Sequence, residues 1–255
     1  MIATTEATLA RALTTRLSRV KRSTIRALSR ELVPIVLGLR TATLVDSTSL
    51  SHDEAIALSR ALDDVQVDGP LLVTHEPTSY QTIVINRDLL RSPRRSFFVD
   101  VSAKAPAMLD RPPASFATLI DDLALIAPSI SFHLIVLAPD VPARSLIPFV
   151  GYLLDYPVAY CLSSIGGTEQ NCLGNEPLIL VEASLTDETE LGVDRLRLLS
   201  FSYPLRLARS TPDLARDRIV ANLRETLAAR IARRAHHGLG VEITSREVVL
   251  DQVAL

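Results

Sequence analysis

The sequence predicts an α/β fold: a single layered domain, with a mixed, largely parallel sheet flanked by helices, an antiparallel C-terminal hairpin and a long C-terminal helix. Three observations carry that reading. Between Thr43 and Leu162, short aliphatic runs alternate with segments of helical period, the signature of βα units. Ser131–Ala138, SFHLIVLA, is almost continuously apolar and rich in β-branched residues, as a strand covered on both faces should be. Beyond Pro177 the character changes. Leu178–Ala183 and Leu196–Tyr203 follow one another with no helix between, so they should pair antiparallel.

In chain order, residues 6–37 read as a helical region. Leu9, Leu13, Leu17 and Val20 form one apolar stripe and Ile25, Leu28 and Leu32 a second, with Gly38 as the stop. Thr43–Asp46 reads as a short buried strand. Ser51 and Glu54 form a capping box for a helix carrying Ile56, Leu58, Ala61, Leu62 and Val65. Leu71–Val73 and Gln81–Ile85 read as strands around a turn at 75–78, and Phe97–Val101 as a further strand. Helices are expected over Ser115–Ile126 and Arg144–Tyr156, with the strand Val158–Leu162 next. A final helix is expected over Thr211–Ala235 on the stripe Val220, Leu223, Leu227 and Ile231, its arginines solvated. Val241–Leu250 reads as a terminal strand. Repeats, low-complexity tracts and linkers are lacking, so the chain reads as one domain over 1–255.

Composition narrows the function classes. A net charge of −2 gives no electrostatic case for nucleic acid or an anionic membrane. Leu119–Pro139, the most apolar region, is interrupted by Asp121, Asp122, Pro128 and His133, which argues against a membrane span. Cys161 and Cys172 do not make a disulfide framework. An intracellular site, cytoplasmic or nuclear, is therefore expected. Residues 1–30 carry seven basic residues and one acid, Glu6. That composition also fits mitochondrial targeting, but the stripe running into the first strand favours a structural helix.

No phosphate-cradling glycine loop, H-E-x-x-H, C-x-x-C or G-x-S-x-G occurs. What remains is positional. Asp46, Asp100 and Asp140 each fall at or just beyond the end of an expected strand. Ligands of open parallel sheets gather at that edge. Three converging acids there would be acid/base groups or ligands for Mg²⁺; the alternative is that they cap helices and anchor loops. Ser102 stands where a nuclease-type acid-x-Lys strand would need an acid. Asn171 and Cys172 are binding candidates at the rim, and Cys172 reads either as a nucleophile or as a small buried hydrophobe.

A family resemblance rests on residues occurring in one order: Gly38-Leu39-Arg40 before Leu44-Val45-Asp46; Phe97–Ala103; Gly151–Tyr160; Asn171-Cys172-Leu173 with Pro177-Leu178; and Leu199–Pro204. Over about 38–205 the chain resembles a eukaryotic family carrying a domain of unknown function, typified by a vertebrate open-reading-frame protein encoded on human chromosome 1. The resemblance implies homology and fold and passes on no mechanism. Asp155 departs from it, standing where that family tends to have a small residue, and so does the basic C-terminal segment.

Two functional readings follow. One is a non-catalytic α/β adaptor or assembly subunit with a protein partner, motivated by the lack of any catalytic or cofactor signature. The other is a metal-assisted or acid/base enzyme acting on a small phosphate- or nucleotide-like ligand through Asp46, Asp100 and Asp140.

Overall fold

The computed structural model describes residues 1–65, 67, 69–92, 95–137, 143–162, 171–187, 195–234, 236 and 238–253. The expected N-terminal helical region is two helices, α1 (Ile2–Arg16) and α2 (Arg22–Val36). The step from Val20 to Ile25 explains the break: five residues on a continuous helix would swing the stripe about 140° off its face. Breaking at 17–21 lets both stripes turn inward, burying Leu9, Leu13, Leu28 and Leu32 completely. Gly38 ends α2 as expected, at φ 65°. The Gly38 N–H bonds the Ile35 carbonyl and the Leu39 N–H bonds that of Pro34, a Schellman closure.

The next elements are β1 (Ala42–Leu44), α3 (His52–Asp63), β2 (Leu71–Glu76), β3 (Gln81–Asn86) and α4 (Arg87–Leu90). The capping box on α3 is present with both reciprocal bonds between Ser51 and Glu54. Then come β4 (Phe97–Asp100), β5 (Ala107–Met108), α5 (Ala114–Leu125), β6 (Phe132–Leu134), α6 (Leu146–Leu153) and β7 (Val158–Cys161). The chain ends in β8 (Pro177–Asp187), β9 (Arg195–Pro204), α7 (Leu205–Ser210), α8 (Arg216–Arg233) and β10 (Leu239–Val249).

The α/β class, the antiparallel β8–β9 pair and the long helix α8 are as the sequence predicts. The sheet is divided differently. Thr43–Leu162 forms two sheets, ordered β1-β3-β2-β6 and β5-β4-β7, and the third is β10-β8-β9. Parallel neighbours are β2/β6 and β4/β7; the other pairings are antiparallel. Local geometry accounts for much of this. Residues 77–80 are too few for a crossover, so β2 and β3 must form a hairpin. β1 then takes the free side of β3. SFHLIVLA is not a doubly covered strand: among its described residues the strand is Phe132–Leu134, at the sheet edge, and Val136 is 77% exposed.

Two apolar clusters hold these layers. The larger joins α1, α2 and α3 to sheet β10-β8-β9 and helices α7 and α8. The smaller joins the first two sheets to α5 and α6 around Phe98, Phe116, Phe149 and Leu153. Complete burial of Phe149 contributes about 1.5–3 kcal/mol by transfer alone. Among the described residues, no helix is long and apolar enough to cross a membrane.

Candidate functional site

Four of the six residues singled out by the sequence meet at one place, the carboxyl end of β4. Asp100 lies opposite Cys161 in the parallel β4/β7 register. Beyond it the Val101 N–H donates to the Cys161 carbonyl, and the Cys172 N–H donates to the Val101 carbonyl, both at 2.9 Å. This clip brings the 171–175 turn against the strand end. Asp100 Oδ1 accepts the Ser102 N–H at 2.9 Å and the Ser102 hydroxyl at 2.6 Å. Asn171 accepts the Leu173 N–H on Oδ1 at 3.0 Å and donates through Nδ2 to the Val253 carbonyl at 2.8 Å.

The electrostatics at this end oppose thiol chemistry. Burial pushes the Cys161 thiol up to about 12, helped by the Asp100 carboxylate. Burial also raises Cys172, and the charges of Glu176 and Asp100 act in the same direction. Reactive cysteines need the opposite environment, a positive one that stabilises thiolate.

Asp46 and Asp100 do not share one sheet edge: Asp46 lies just beyond β1 and Asp100 ends β4, which belong to different sheets. Asp46 follows β1 and donates its N–H to Glu31 Oε1 of α2 at 2.8 Å. Burial raises its carboxyl against the pull of Arg40 and Arg197. Asp140 lies outside the described residues. Among the described residues, no group of three His, Cys, Asp or Glu side chains is placed to hold a metal ion.

A second polar centre escaped the sequence reading. Asp155 occupies the C′ position of α6 at φ 62°, in a Schellman closure where its N–H bonds the Tyr152 carbonyl and the Tyr156 N–H that of Gly151. Its carboxylate accepts the Thr41 N–H at 2.8 Å and the Thr41 hydroxyl at 2.7 Å. Arg230 of α8 completes the centre, reaching Asp155 through both Nη atoms at 2.7 and 3.0 Å and donating to the Leu39 carbonyl at 2.9 Å. Arg230 is 8% exposed, not solvated as the arginines of this helix were expected to be. One signal in the sequence pointed to it: Arg230 lies three residues past Leu227, in phase with the stripe. The expected stripe took Val220 and Ile231 instead, but the buried positions of α8 are Ile219, Leu223, Leu227 and Arg230.

Beside this centre, a cavity of about 400 Å³ opens between α8 and the amino ends of β4 and β7. Arg95, Arg218, Arg230 and Arg233 line it against Asp155 and Asp213, with Asn222 and Thr226 adding neutral polar groups. Arg95 and Arg218 both pair with Asp213, at 2.9 and 2.7 Å, and Arg95 also covers the Phe97 ring at 4.6 Å.

A family model described as "Domain of unknown function (DUF4504)" matches residues 10–255. The chain belongs to the DUF4504 family. The match runs to the end of the chain, so α8 and β10 are DUF4504 structure and not an extension beyond it, as the narrower resemblance over 38–205 had implied. Asp155 and Arg230 both fall inside the DUF4504 region. No curated protein and no solved structure matches the chain.

Proposed function

We propose that this DUF4504 protein is an assembly subunit that works by holding another polypeptide. One observation carries the reading: sheet β10-β8-β9 ends in an eleven-residue edge strand, β10, none of whose residues is buried. Long exposed edges are templates for strand addition. The polar residues at the end of β4 fit a scaffold, since Asp100, Ser102 and Asn171 bond to their own chain and shape its turns. Both cysteines are free, which suits the intracellular, reducing setting of this reading. Native mass measurement of the protein drawn from its own cells tests it. The expected result is a stoichiometric complex heavier than one chain; a solitary chain would overturn it.

A second reading keeps a small phosphate-like ligand but moves it from the strand-end acids to the cavity beside α8. The observation favouring it is four arginines facing two aspartates there. Inorganic phosphate should then raise the melting temperature progressively with concentration. Arg233→Ala with Arg218→Ala should remove that rise. A melting temperature indifferent to phosphate would end this reading.

A further inference from the structure

We propose that the polypeptide held by β10 is a second copy of this chain, joined strand to strand about a two-fold axis through Thr244. The inference rests on the assembly reading and gives it a partner and a register.

The two edges of the third sheet are treated differently. On β9, outward carbonyls are claimed by side chains: Tyr160 donates its hydroxyl to the Ser202 carbonyl at 2.7 Å, and Arg30 donates to the Arg195 carbonyl at 3.1 Å. Among the described residues, none bonds to the outer side of Val241–Val249 in this way. The edge carries charges at Glu242, Arg246 and Glu247, but it lacks the two devices that break pairing outright, proline and a bulge. It contains no proline, and its register with β8 runs unbroken from Leu239–Asp187 to Val249–Pro177.

The outward groups can be identified. In antiparallel pairs, residues alternate between bonding a neighbour and facing away. Because the Ser202 carbonyl leaves the sheet, its partner Leu180 turns its own groups toward β10, where it meets Arg246. Arg195, on the other side of the β8/β9 irregularity, gives the same phase through Thr186 and Gly240. Even-numbered residues of β10 therefore bond β8. Val241, Ile243, Ser245, Glu247 and Val249 present their N–H and C=O groups outward.

Two-fold symmetry requires antiparallel pairing of β10 with itself. Only outward residues can exchange bonds, so odd positions must meet odd positions. Centring on Thr244 satisfies this: Ile243 bonds Ser245 of the second copy, and Val241 bonds Glu247. The same centre sets Glu242 opposite Arg246, and by symmetry Arg246 opposite Glu242. These are non-bonded pairs, where side chains approach most closely. Centring on Glu242 or on Arg246 would instead face like charges across the axis. Glu242 already bridges Arg195 at 3.0 Å, but both side chains are largely exposed, so sharing or exchanging that partner is inexpensive.

The test combines light scattering with cysteine cross-linking on the full chain. Wild type should have twice the mass of one chain. Thr244→Cys should cross-link to itself under mild oxidation, because Cα atoms about 4.5 Å apart across the axis suit a disulfide. Ser245→Cys alone should not, but should when mixed with Ile243→Cys. Wild type, with Cys161 buried and Cys172 half-buried, is the background control. Arg246→Glu should weaken the dimer at least about tenfold, and adding Glu242→Arg should restore it. A monomeric wild type overturns the second-copy inference. So does a dimer indifferent to Arg246→Glu and lacking the Thr244→Cys cross-link. In either case, a stoichiometric complex with some other chain would leave the assembly reading standing.

Discussion

Asp155 stands where glycine would be the easiest residue, since a left-handed backbone disfavours side chains by roughly 1–2 kcal/mol. What offsets that strain is the bidentate pair with Arg230 and the two bonds from Thr41. Both charged side chains are only 9% exposed, so losing one strands the other in a poor solvent. Asp155→Asn should therefore destabilise the fold by about 3–5 kcal/mol, read as a lowered urea midpoint. Asp155→Gly with Arg230→Leu should recover much of that, because neither charge remains and glycine suits the turn. A double variant as unstable as Asp155→Asn would show that the pair is not what holds this corner. His75 gives the pH dependence. It is fully buried on β2, with Nδ1 3.0 Å from the Thr82 hydroxyl and the His52 and Tyr80 rings beside it. Burial, then the neighbouring His52, lower its pKa below the ordinary 6.5, while Glu76 pulls weakly the other way. Folding thus prefers the neutral ring. The stability it contributes is complete above the unfolded value and is lost as pH falls through the folded one. Urea midpoints should drop as the pH falls below about 6.5. His75→Gln should flatten that slope without abolishing it, because burial lowers His133 as well. An unchanged slope would remove His75 from the account.

At the scale of elements, the approach of α6 to β7 leaves room at position 151 for no more than a methyl group. A Cβ there would stand 3.4 Å from the Ala159 Cβ and 3.5 Å from its Cα, ordinary contact with nothing to spare. Alanine fits that space and gains up to about 1 kcal/mol of helix propensity, so Gly151→Ala should be neutral or mildly stabilising. Gly151→Leu must move the helix and should cost about 1–3 kcal/mol by thermal unfolding. If both variants behaved alike, the approach of α6 to β7 would not depend on this residue. The same distinction between local and distant causes decides what was legible from the chain. The Ser51/Glu54 box, the Gly38 stop and the β8–β9 pair are set by neighbours within a few residues or by one short connection, and they could be read directly. The division of Thr43–Leu162 into two sheets depends on which edge β4 chooses, and apolar runs do not encode an edge. SFHLIVLA looked buried because composition reports hydrophobicity and not the number of neighbours. Asp100 was singled out as a carboxylate at the end of a strand. That Ser102, two residues on, is one of its partners turns the same observation from catalysis toward turn geometry. The Asp155–Arg230 pair spans 75 residues, and only the phase of Arg230 on its helix hinted at it.

For the whole molecule, the three sheets are proposed to melt as one unit, and the reason lies in the contacts between them. Arg230 carries α8, which packs with β10, to the Leu39 carbonyl and the Thr41 hydroxyl in the segment leading into β1. The Tyr160 hydroxyl ties β7 to β9. Burial raises that phenol well above its ordinary value, although its bond to Ser202 opposes the rise, so it remains a neutral donor at any working pH. The larger apolar cluster runs from the N-terminal helices through the third sheet and includes Val73, Val84, Val99 and Val158 from the other two. Cutting through such a core exposes apolar surface on both sides, which favours all-or-none unfolding over stepwise loss. The chain has no tryptophan and five tyrosines, with Tyr80 beside the β2–β3 hairpin, Tyr152, Tyr156 and Tyr160 near α6 and β7, and Tyr203 on β9. Tyrosine fluorescence therefore reports from all three sheets, and far-ultraviolet circular dichroism from the helices. The two melting curves should superimpose, and Tyr160→Phe should lower both midpoints together. Curves that separate, or a Tyr160→Phe variant that shifts only one, would show that the third sheet unfolds apart from the others and that the chain is two units.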